Sequence, residues 1–126
     1  MEIYNHDTEE TITFKNNYIE LDNWIIHLEY IDKEINNLLN LSKTELISVL
    51  EHQPVLTKLS IKKEENRINL KAFVKYKNSL PQAAECEDTD CDMFYVNEHE
   101  RCRKVYMNHL EKFRNVKEEY FNILSK

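Results

Sequence analysis

Glycine is absent from this 126-residue sequence, and proline occurs only twice, at Pro54 and Pro81. Hairpin turns in β-sheet folds depend on residues that accept positive φ, and glycine accepts it most readily. Long helices joined by short connections need few such residues. The 32% charged and 41% hydrophobic residues suit helices with one apolar and one solvated face. The composition therefore predicts an all-α fold with a single domain over residues 1–126.

Long apolar runs are also missing, so we expect no membrane span, which requires about 18 or more consecutive apolar residues. The first ten residues include four acids and no basic or apolar signal-peptide region. The three cysteines include no CxxC pair, which indicates reduced thiols and a cytoplasmic location. The net charge of −6 describes an acidic protein and argues against nucleic acid as a partner of the whole chain.

Catalytic and cofactor motifs are absent as well. The sequence contains no Ser-His-Asp or Cys-His-Asn order, no phosphate-binding loop and no H-E-x-x-H motif. A phosphate-binding loop without glycine would also be unusual, because the backbone must approach the phosphate closely. We therefore expect a protein that is not an enzyme and holds no cofactor.

Apolar residues spaced alternately by three and four predict the first helix, over residues 10–41. Phe14 and Tyr18 extend this repeat towards the N-terminus. The repeat itself consists of Leu21, Trp24, Leu28, Ile31, Ile35 and Leu38.

The second helix is expected over residues 43–79. Ser42 and Glu45 have the spacing of a capping box, which marks its start. Pro54 should kink this helix, because proline removes one hydrogen bond and crowds the preceding turn. The alternative is a short helix that ends there and a new helix that begins at Pro54. The predicted apolar seam comprises Leu56, Leu59, Ile61, Ile68, Leu70 and Phe73.

Pro81 is expected to end the second helix and to open an acidic loop over residues 80–92. Thr89 together with Asp92, or Asp92 alone, is the predicted N-cap of a third helix over residues 92–125. Its repeat is the longest in the sequence: Tyr95, His99, Cys102, Tyr106, His109, Phe113, Val116, Tyr120 and Ile123. Together these elements predict an elongated, coiled-coil-like, antiparallel three-helix bundle with up-down-up topology.

Three short motifs carry a resemblance to known sequences. They are Trp24 to Leu28 (WIIHL), Leu50 to Gln53 (LEHQ) and Asn97 to His99 (NEH), followed by aromatic residues at Phe113 and at Tyr120 and Phe121. This pattern resembles short, uncharacterised three-helix coiled-coil proteins of the Bacteroidetes. The resemblance spans most of the chain and implies no activity.

Four residues are candidate metal ligands: Cys86, Cys91, His99 and Cys102. The separation of Cys86 from Cys91 is wider than that of a structural zinc knuckle. The same two thiols also suit a disulfide under oxidising conditions. Cys102 lies on the apolar repeat of the third helix, where a cysteine often acts as a small buried hydrophobe.

Lys63, Arg67, Lys71 and Lys75 recur every four residues and form a basic stripe on the second helix. One interpretation is a surface for nucleic acid, phosphate or an acidic partner. The other is a solvated face with salt bridges to the first helix, since residues 16–41 hold five acids against one lysine.

Three functional hypotheses follow. The first is a non-enzymatic interaction or scaffolding bundle, whose helix faces bind another protein or a second copy of this chain. The alternative is a metal- or redox-responsive bundle that uses Cys86, Cys91, Cys102 and His99. The third is weak binding of nucleic acid or an acidic partner through the basic stripe.

Overall fold

A computed structural model describes residues 2–83 and 88–125 of the chain. It contains helix α1 (Glu9–Leu41), a short 3₁₀ helix (Glu45–Leu50), helix α2 (Pro54–Ala83) and helix α3 (Thr89–Leu124). No strand occurs among the described residues, and the helices pack against one another. The predicted all-α three-helix bundle is confirmed.

Four contacts between helices define their directions. Asp22 and Leu28 of α1 contact Lys77 and Asn66 of α2, respectively, so the residue numbers rise along α1 as they fall along α2. Glu20 and Glu34 of α1 contact Arg103 and Lys117 of α3, respectively, so the numbers rise together. Helices α1 and α3 are therefore parallel and α2 runs against both. At 1.5 Å per residue, α1 and α3 are each about 50 Å long.

Helix α1 contributes the largest share of the apolar core among the described residues. Thr8 caps its start, where the Thr8 hydroxyl oxygen accepts a hydrogen bond of 3.1 Å from the amide of Thr11. Glu9 and Glu10 then lie in the first turn, where negative charge favours the helix. All six residues of its predicted repeat are buried, together with Ile25.

The chain divides into the 3₁₀ helix and α2, so the predicted continuous, kinked helix over residues 43–79 is wrong and the alternative of a new helix at Pro54 is confirmed. Pro54 is the first residue of α2, a position that needs no amide hydrogen and suits the fixed φ of proline. His52 adopts a φ of 66° in the connection. The hydroxyl of Ser42 donates to the carbonyl of Leu39 at 2.6 Å, so Ser42 closes α1 instead of starting the next helix.

Helix α2 buries a partly polar seam. The buried residues follow a heptad spacing: Val55, Leu59, Lys62, Asn66, Phe73, Tyr76 and Leu80. The predicted seam was wrong at Ile61 and Ile68, which are about half exposed. Packing of the residues at both ends of α2 determines which face lies inwards, and this registry turns Lys62 and Asn66 into the bundle.

Pro81 lies inside α2, which continues to Ala83, so the prediction that Pro81 ends the helix was wrong. A proline in the last turn removes only one intrahelical hydrogen bond, and the helix ends two residues later. The N-cap of α3 is Asp88 and not Thr89 or Asp92, because the Asp88 carboxylate accepts from the amide of Cys91 at 2.7 Å. Residues 84–87 of the predicted acidic loop lie outside the described residues.

Helix α3 completes the core through seven buried residues: His99, Cys102, His109, Leu110, Phe113, Val116 and Tyr120. Six of them belong to the predicted repeat, whereas Tyr95, Tyr106 and Ile123 are only half buried. Within the described residues, no helix has an apolar stretch of sufficient length to cross a membrane.

Candidate functional site

His99 is at the centre of a polar contact that joins all three helices. Its Nε2 lies 2.7 Å from Oε1 of Glu20 on α1, and its Nδ1 lies 2.9 Å from the hydroxyl of Tyr76 on α2. Arg103 donates to the same Glu20 oxygen at 2.5 Å. A carboxylate only accepts hydrogen bonds, so Nε2 carries the proton and the Tyr76 hydroxyl donates to Nδ1. Both ring nitrogens therefore have partners within the chain.

The charge states around His99 follow from burial and from these hydrogen bonds. Burial lowers the pKa of His99, and the hydrogen bond to Glu20 only partly opposes this effect. Partial burial acts to raise the pKa of Glu20, but hydrogen bonds from His99 and Arg103 outweigh it and the pKa is lowered. Burial raises the pKa of Tyr76 well above its usual value. The favoured state at neutral pH is a neutral imidazole between a carboxylate and a phenol.

Aromatic rings enclose this contact. Trp24 stacks on His99 with ring centroids 5.1 Å apart and on Tyr106 at 5.3 Å. The ring of Phe73 lies 5.9 Å from that of Trp24 in a tilted arrangement. His99 is only 2% exposed, so it presents no ring nitrogen to solvent. Its hydrogen bonds to Glu20 and Tyr76 fix the three helices relative to one another.

His109 forms a second buried polar contact on α3, ten residues or about three turns beyond His99. The Asn66 amide nitrogen donates to the carbonyl of Leu28 at 2.7 Å, so its oxygen faces Nε2 of His109 at 2.8 Å. Nε2 therefore carries the proton. The other nitrogen, Nδ1, is a buried acceptor for which the described residues provide no hydrogen-bond partner. Burial and the nearby Lys62 ammonium both lower the pKa of His109, so it too is neutral at neutral pH.

The structure places the candidate metal ligands in different surroundings. Cys86 lies outside the described residues. Cys91, in the first turn of α3, is disulfide-bonded, so the prediction of a reduced thiol at this position is wrong. Cys102 is fully buried, and burial raises the pKa of its thiol to about 11, which disfavours the thiolate that binds metals. His99 uses both ring nitrogens within the chain. Among the described residues, no group of three or more potential ligands has the geometry of a metal site; a site that includes Cys86 stays a prediction.

The basic stripe lies on the solvent side of α2, where Lys63, Arg67, Lys71 and Lys75 are all exposed. Twelve residues of helix place its ends about 18 Å apart. Arg67 pairs with Glu64 on the same helix at 2.5 Å. Within the described residues, the other three cations form no ion pair, and the salt bridge between α1 and α2 uses Lys77. The predicted salt bridges from the stripe to the first helix are therefore not observed in the described part of the chain.

Exposed isoleucines lie beside the stripe. Ile61 is 51% exposed and Ile68 is 53% exposed, and the two are separated by seven residues, so they lie on one side of the helix. Ile68 is followed three and seven residues later by cations of the stripe. We define the outer face of α2 as Ile61, Lys63, Arg67, Ile68, Lys71 and Lys75.

A second exposed apolar segment lies at the beginning of α3. Met93, Phe94 and Val96 are 48%, 61% and 50% exposed. Asp90 and Asp92 belong to the same first turns and are also exposed. We define the acidic start of α3 as these five residues. Next to it, the Tyr95 hydroxyl donates to the Ser79 carbonyl at 3.3 Å, which holds the segment against the end of α2.

A surface cavity of about 630 Å³ lies where α1, the 3₁₀ helix and α2 meet. Hydroxyl groups and charged side chains line its rim, over an apolar floor of Leu39 and Leu56. Two of its hydroxyls, on Ser42 and Thr44, donate to carbonyls at the end of α1. These protons therefore satisfy the end of the helix and are not directed towards a ligand.

Sequence reasoning missed the partly exposed Glu20 and the buried residues Lys62, Asn66 and Tyr76. A heptad count from Val55 to Leu80 would have placed the last three at inward positions. No comparable signal exists for Glu20, which lies at the edge of the α1 repeat and is recruited by His99 and Arg103 on another helix.

No protein-family model matches this chain, and no curated protein or solved structure matches it either. The resemblance to three-helix proteins of the Bacteroidetes therefore stays a prediction.

Proposed function

We propose that this chain is a non-enzymatic interaction or scaffolding bundle that binds another protein or a second copy of itself through its exposed helix faces. The observation that carries the proposal is the outer face of α2, where exposed isoleucines lie beside three lysines that form no ion pair among the described residues. Such a surface combines apolar area that gains from burial with charge that gains from an opposite charge.

The energetic argument rests on both parts of this face. Removing apolar area from water stabilises a complex by about 25 cal/mol per Å², and two half-exposed isoleucines on one side of a helix can both be covered by one partner. Exposed ion pairs add little affinity, but they select partners and accelerate encounter. The basic face therefore favours an acidic protein surface.

The charge distribution directs such a partner to α2. Residues 55–80 hold seven lysines or arginines against two glutamates, in a chain whose net charge is −6. An acidic partner is repelled by most of the molecule and attracted by this helix.

An affinity pull-down from lysate of the source cells, analysed by mass spectrometry, tests this function. The wild-type chain is compared with a face variant, Lys63→Glu/Lys71→Glu/Lys75→Glu. The control, Lys104→Glu/Lys112→Glu/Arg114→Glu, makes the same charge change at exposed positions of α3. We expect a stoichiometric protein that the wild type and the control both recover and the face variant does not.

Circular dichroism serves as the folding control, and the wild type, the face variant and the control variant should have the same helix content. Equal recovery by the face variant and the control would show that the outer face of α2 is not the binding surface. Recovery of no protein by the wild-type chain would contradict the proposal as a whole.

A further inference from the structure

We propose that the partner surface for the outer face of α2 exists on this same chain: the acidic start of α3 of a second copy docks there. The inference rests on the proposed function and names the partner of that face. It is carried by two exposed segments of one molecule that match each other in charge and in apolar content.

The receiving surface is the outer face of α2. Its cations recur every four residues, about 6 Å apart along the axis, and Ile68 lies between them with 53% of its surface exposed. Lys63, Lys71 and Lys75 form no ion pair within the described residues. An incoming segment therefore meets available charge on both sides of an apolar residue.

The docking segment is the acidic start of α3. Asp90 and Asp92 are exposed and form no ion pair within the part of the chain that the structure describes. Phe94 is 61% exposed, and its ring contacts only Tyr95 edge-on at 5.2 Å among the described aromatic residues. Residues 90–96 extend about 9 Å along the helix, about half the length of the basic stripe, so the whole segment fits on the face.

Within one molecule the two surfaces do not meet. Helix α3 contacts α2 through its inward side, as the Tyr95–Ser79 and Tyr76–His99 hydrogen bonds show. The lysines of the stripe are on the solvent side of α2. Among the described residues, neither the three lysines of the stripe nor Asp90 and Asp92 form an ion pair. These opposite charges, each beside exposed apolar side chains, are therefore available to pair between copies.

The two surfaces differ, so each copy uses one surface to receive and the other to dock. Two copies that do both reciprocally form a two-fold dimer, and copies that do not close in this way form a ring or an open, head-to-tail assembly. A symmetric contact between two α2 faces would place cations against cations. Because each side offers only about six residues, fewer than a standard interface, we expect association that depends on concentration.

Charge-swapped variants provide the test, with mass measured by analytical ultracentrifugation from micromolar to millimolar concentration. We expect the average mass of the wild-type chain to rise with concentration. Both the face variant Lys63→Glu/Lys71→Glu/Lys75→Glu and the start variant Asp90→Lys/Asp92→Lys should remain monomeric, since each opposes like charges. An equimolar mixture of the two should associate again, because each supplies the opposite charge that the other now needs.

Two further variants separate docking from other effects. The control Lys104→Glu/Lys112→Glu/Arg114→Glu has the same net charge as the face variant and should associate like the wild type. Phe94→Ser leaves the charges of the α3 start unchanged, and it should weaken association by about tenfold or more because a central aromatic contact is lost. Circular dichroism and thermal unfolding verify the fold of each chain.

A wild-type chain that stays monomeric throughout overturns the proposal, as does a mixture of the swapped variants that fails to associate. If the monomeric chain still recovers a different protein through the outer face of α2, self-docking is excluded while the proposed function stands. Salt-sensitive binding of a short RNA by a monomeric chain, lost in the face variant, would assign the stripe to nucleic acid and also exclude self-docking.

Discussion

His99 and His109 are two buried histidines ten residues apart on α3, and the hydrogen bonding of their ring nitrogens differs. His99 is 2% exposed and His109 is 3% exposed, so neither gains much from water. Both nitrogens of His99 are hydrogen-bonded, whereas Nδ1 of His109 has no hydrogen-bond partner among the described residues. Equal burial therefore does not imply an equal free-energy cost of removing the two rings from water. What matters is whether the neighbouring helices offer partners in the right directions.

The difference comes from the facing residues. A tyrosine and a glutamate approach His99 from opposite sides, and their donor and acceptor groups match the two ring nitrogens. Asn66 faces His109 and already uses its amide nitrogen on the Leu28 carbonyl, so it offers only an oxygen. We infer that the His99 contact stabilises a unique arrangement of the helices, while the His109 contact specifies registry at some expense of stability.

The largest loss of stability is expected from a substitution that removes one of the two hydrogen bonds of the His99 ring. Tyr76→Phe removes the donor to Nδ1 and leaves a second buried, unpaired ring nitrogen. We expect the free energy of unfolding to fall by about 2 kcal/mol, as measured by urea denaturation. Tyr30→Phe removes a hydroxyl from a tyrosine that is 65% exposed and serves as the control. A loss for Tyr76→Phe no larger than for Tyr30→Phe would contradict the assigned hydrogen bond.

A smaller, pH-dependent effect distinguishes the two histidines from the rest of the chain. Burial lowers the pKa of both His99 and His109 from the usual 6.5. Below pH 6.5 the unfolded chain therefore takes up protons that the folded chain does not. Stability is fully present above that pH and falls as the pH decreases towards the folded-state pKa values, by at most about 1.4 kcal/mol per pH unit for each histidine.

Urea denaturation between about pH 7 and pH 5 measures this slope. His99→Gln and His109→Gln should each reduce it, and the double variant should reduce it further. The pKa of Glu20 is also lowered, but from a usual value of 4.5. The stabilisation by Glu20 is therefore lost only below about pH 4.5, outside the range of this measurement. A slope that neither substitution changes would show that the histidines titrate alike in both states.

The smallest change in stability is expected when both residues of the Asn66–His109 contact are replaced together. Asn66→Leu/His109→Leu removes every buried polar atom of that side-chain pair, including the unpaired nitrogen. Because replacing both partners avoids leaving one of them unpaired, the double variant should unfold within about 1 kcal/mol of the wild type. Asn66→Leu alone is the matched comparison and should be less stable, since it leaves both nitrogens of His109 without partners. A double variant as unstable as that single variant would contradict this account.

Much of the fold was predictable from local pattern. The repeat from Leu21 to Leu38 is apolar at every inward position, so its burial follows from the 3.6-residue period of a helix. The same reasoning failed on α2, where the apolar residues Ile61 and Ile68 are exposed and the polar Lys62 and Asn66 are buried. A polar residue becomes favourable inside only when another helix supplies its partner, and no local pattern encodes that.

Element boundaries show the same limit. Pro54 allowed either a kink or a new helix, and the φ of 66° at His52 ends the ambiguity in favour of a separate α2. Asp88 and not Asp92 caps α3, because its carboxylate reaches the amide three residues on. Several acids near that point have the right chemistry, and the choice among them depends on where the end of α2 brings the chain.

The sequence by itself determined the helical class, the absence of sheet-forming turns, the apolar faces of the first and third helices and the basic stripe of the second. These follow from composition and from spacing along one element. Only the tertiary structure decided the inward face of α2, the His99 and His109 contacts and the exposure of the acidic start of α3. Each of these depends on which atoms of distant helices come within about 3 Å of each other, and that distance is set by the packing of all three helices together.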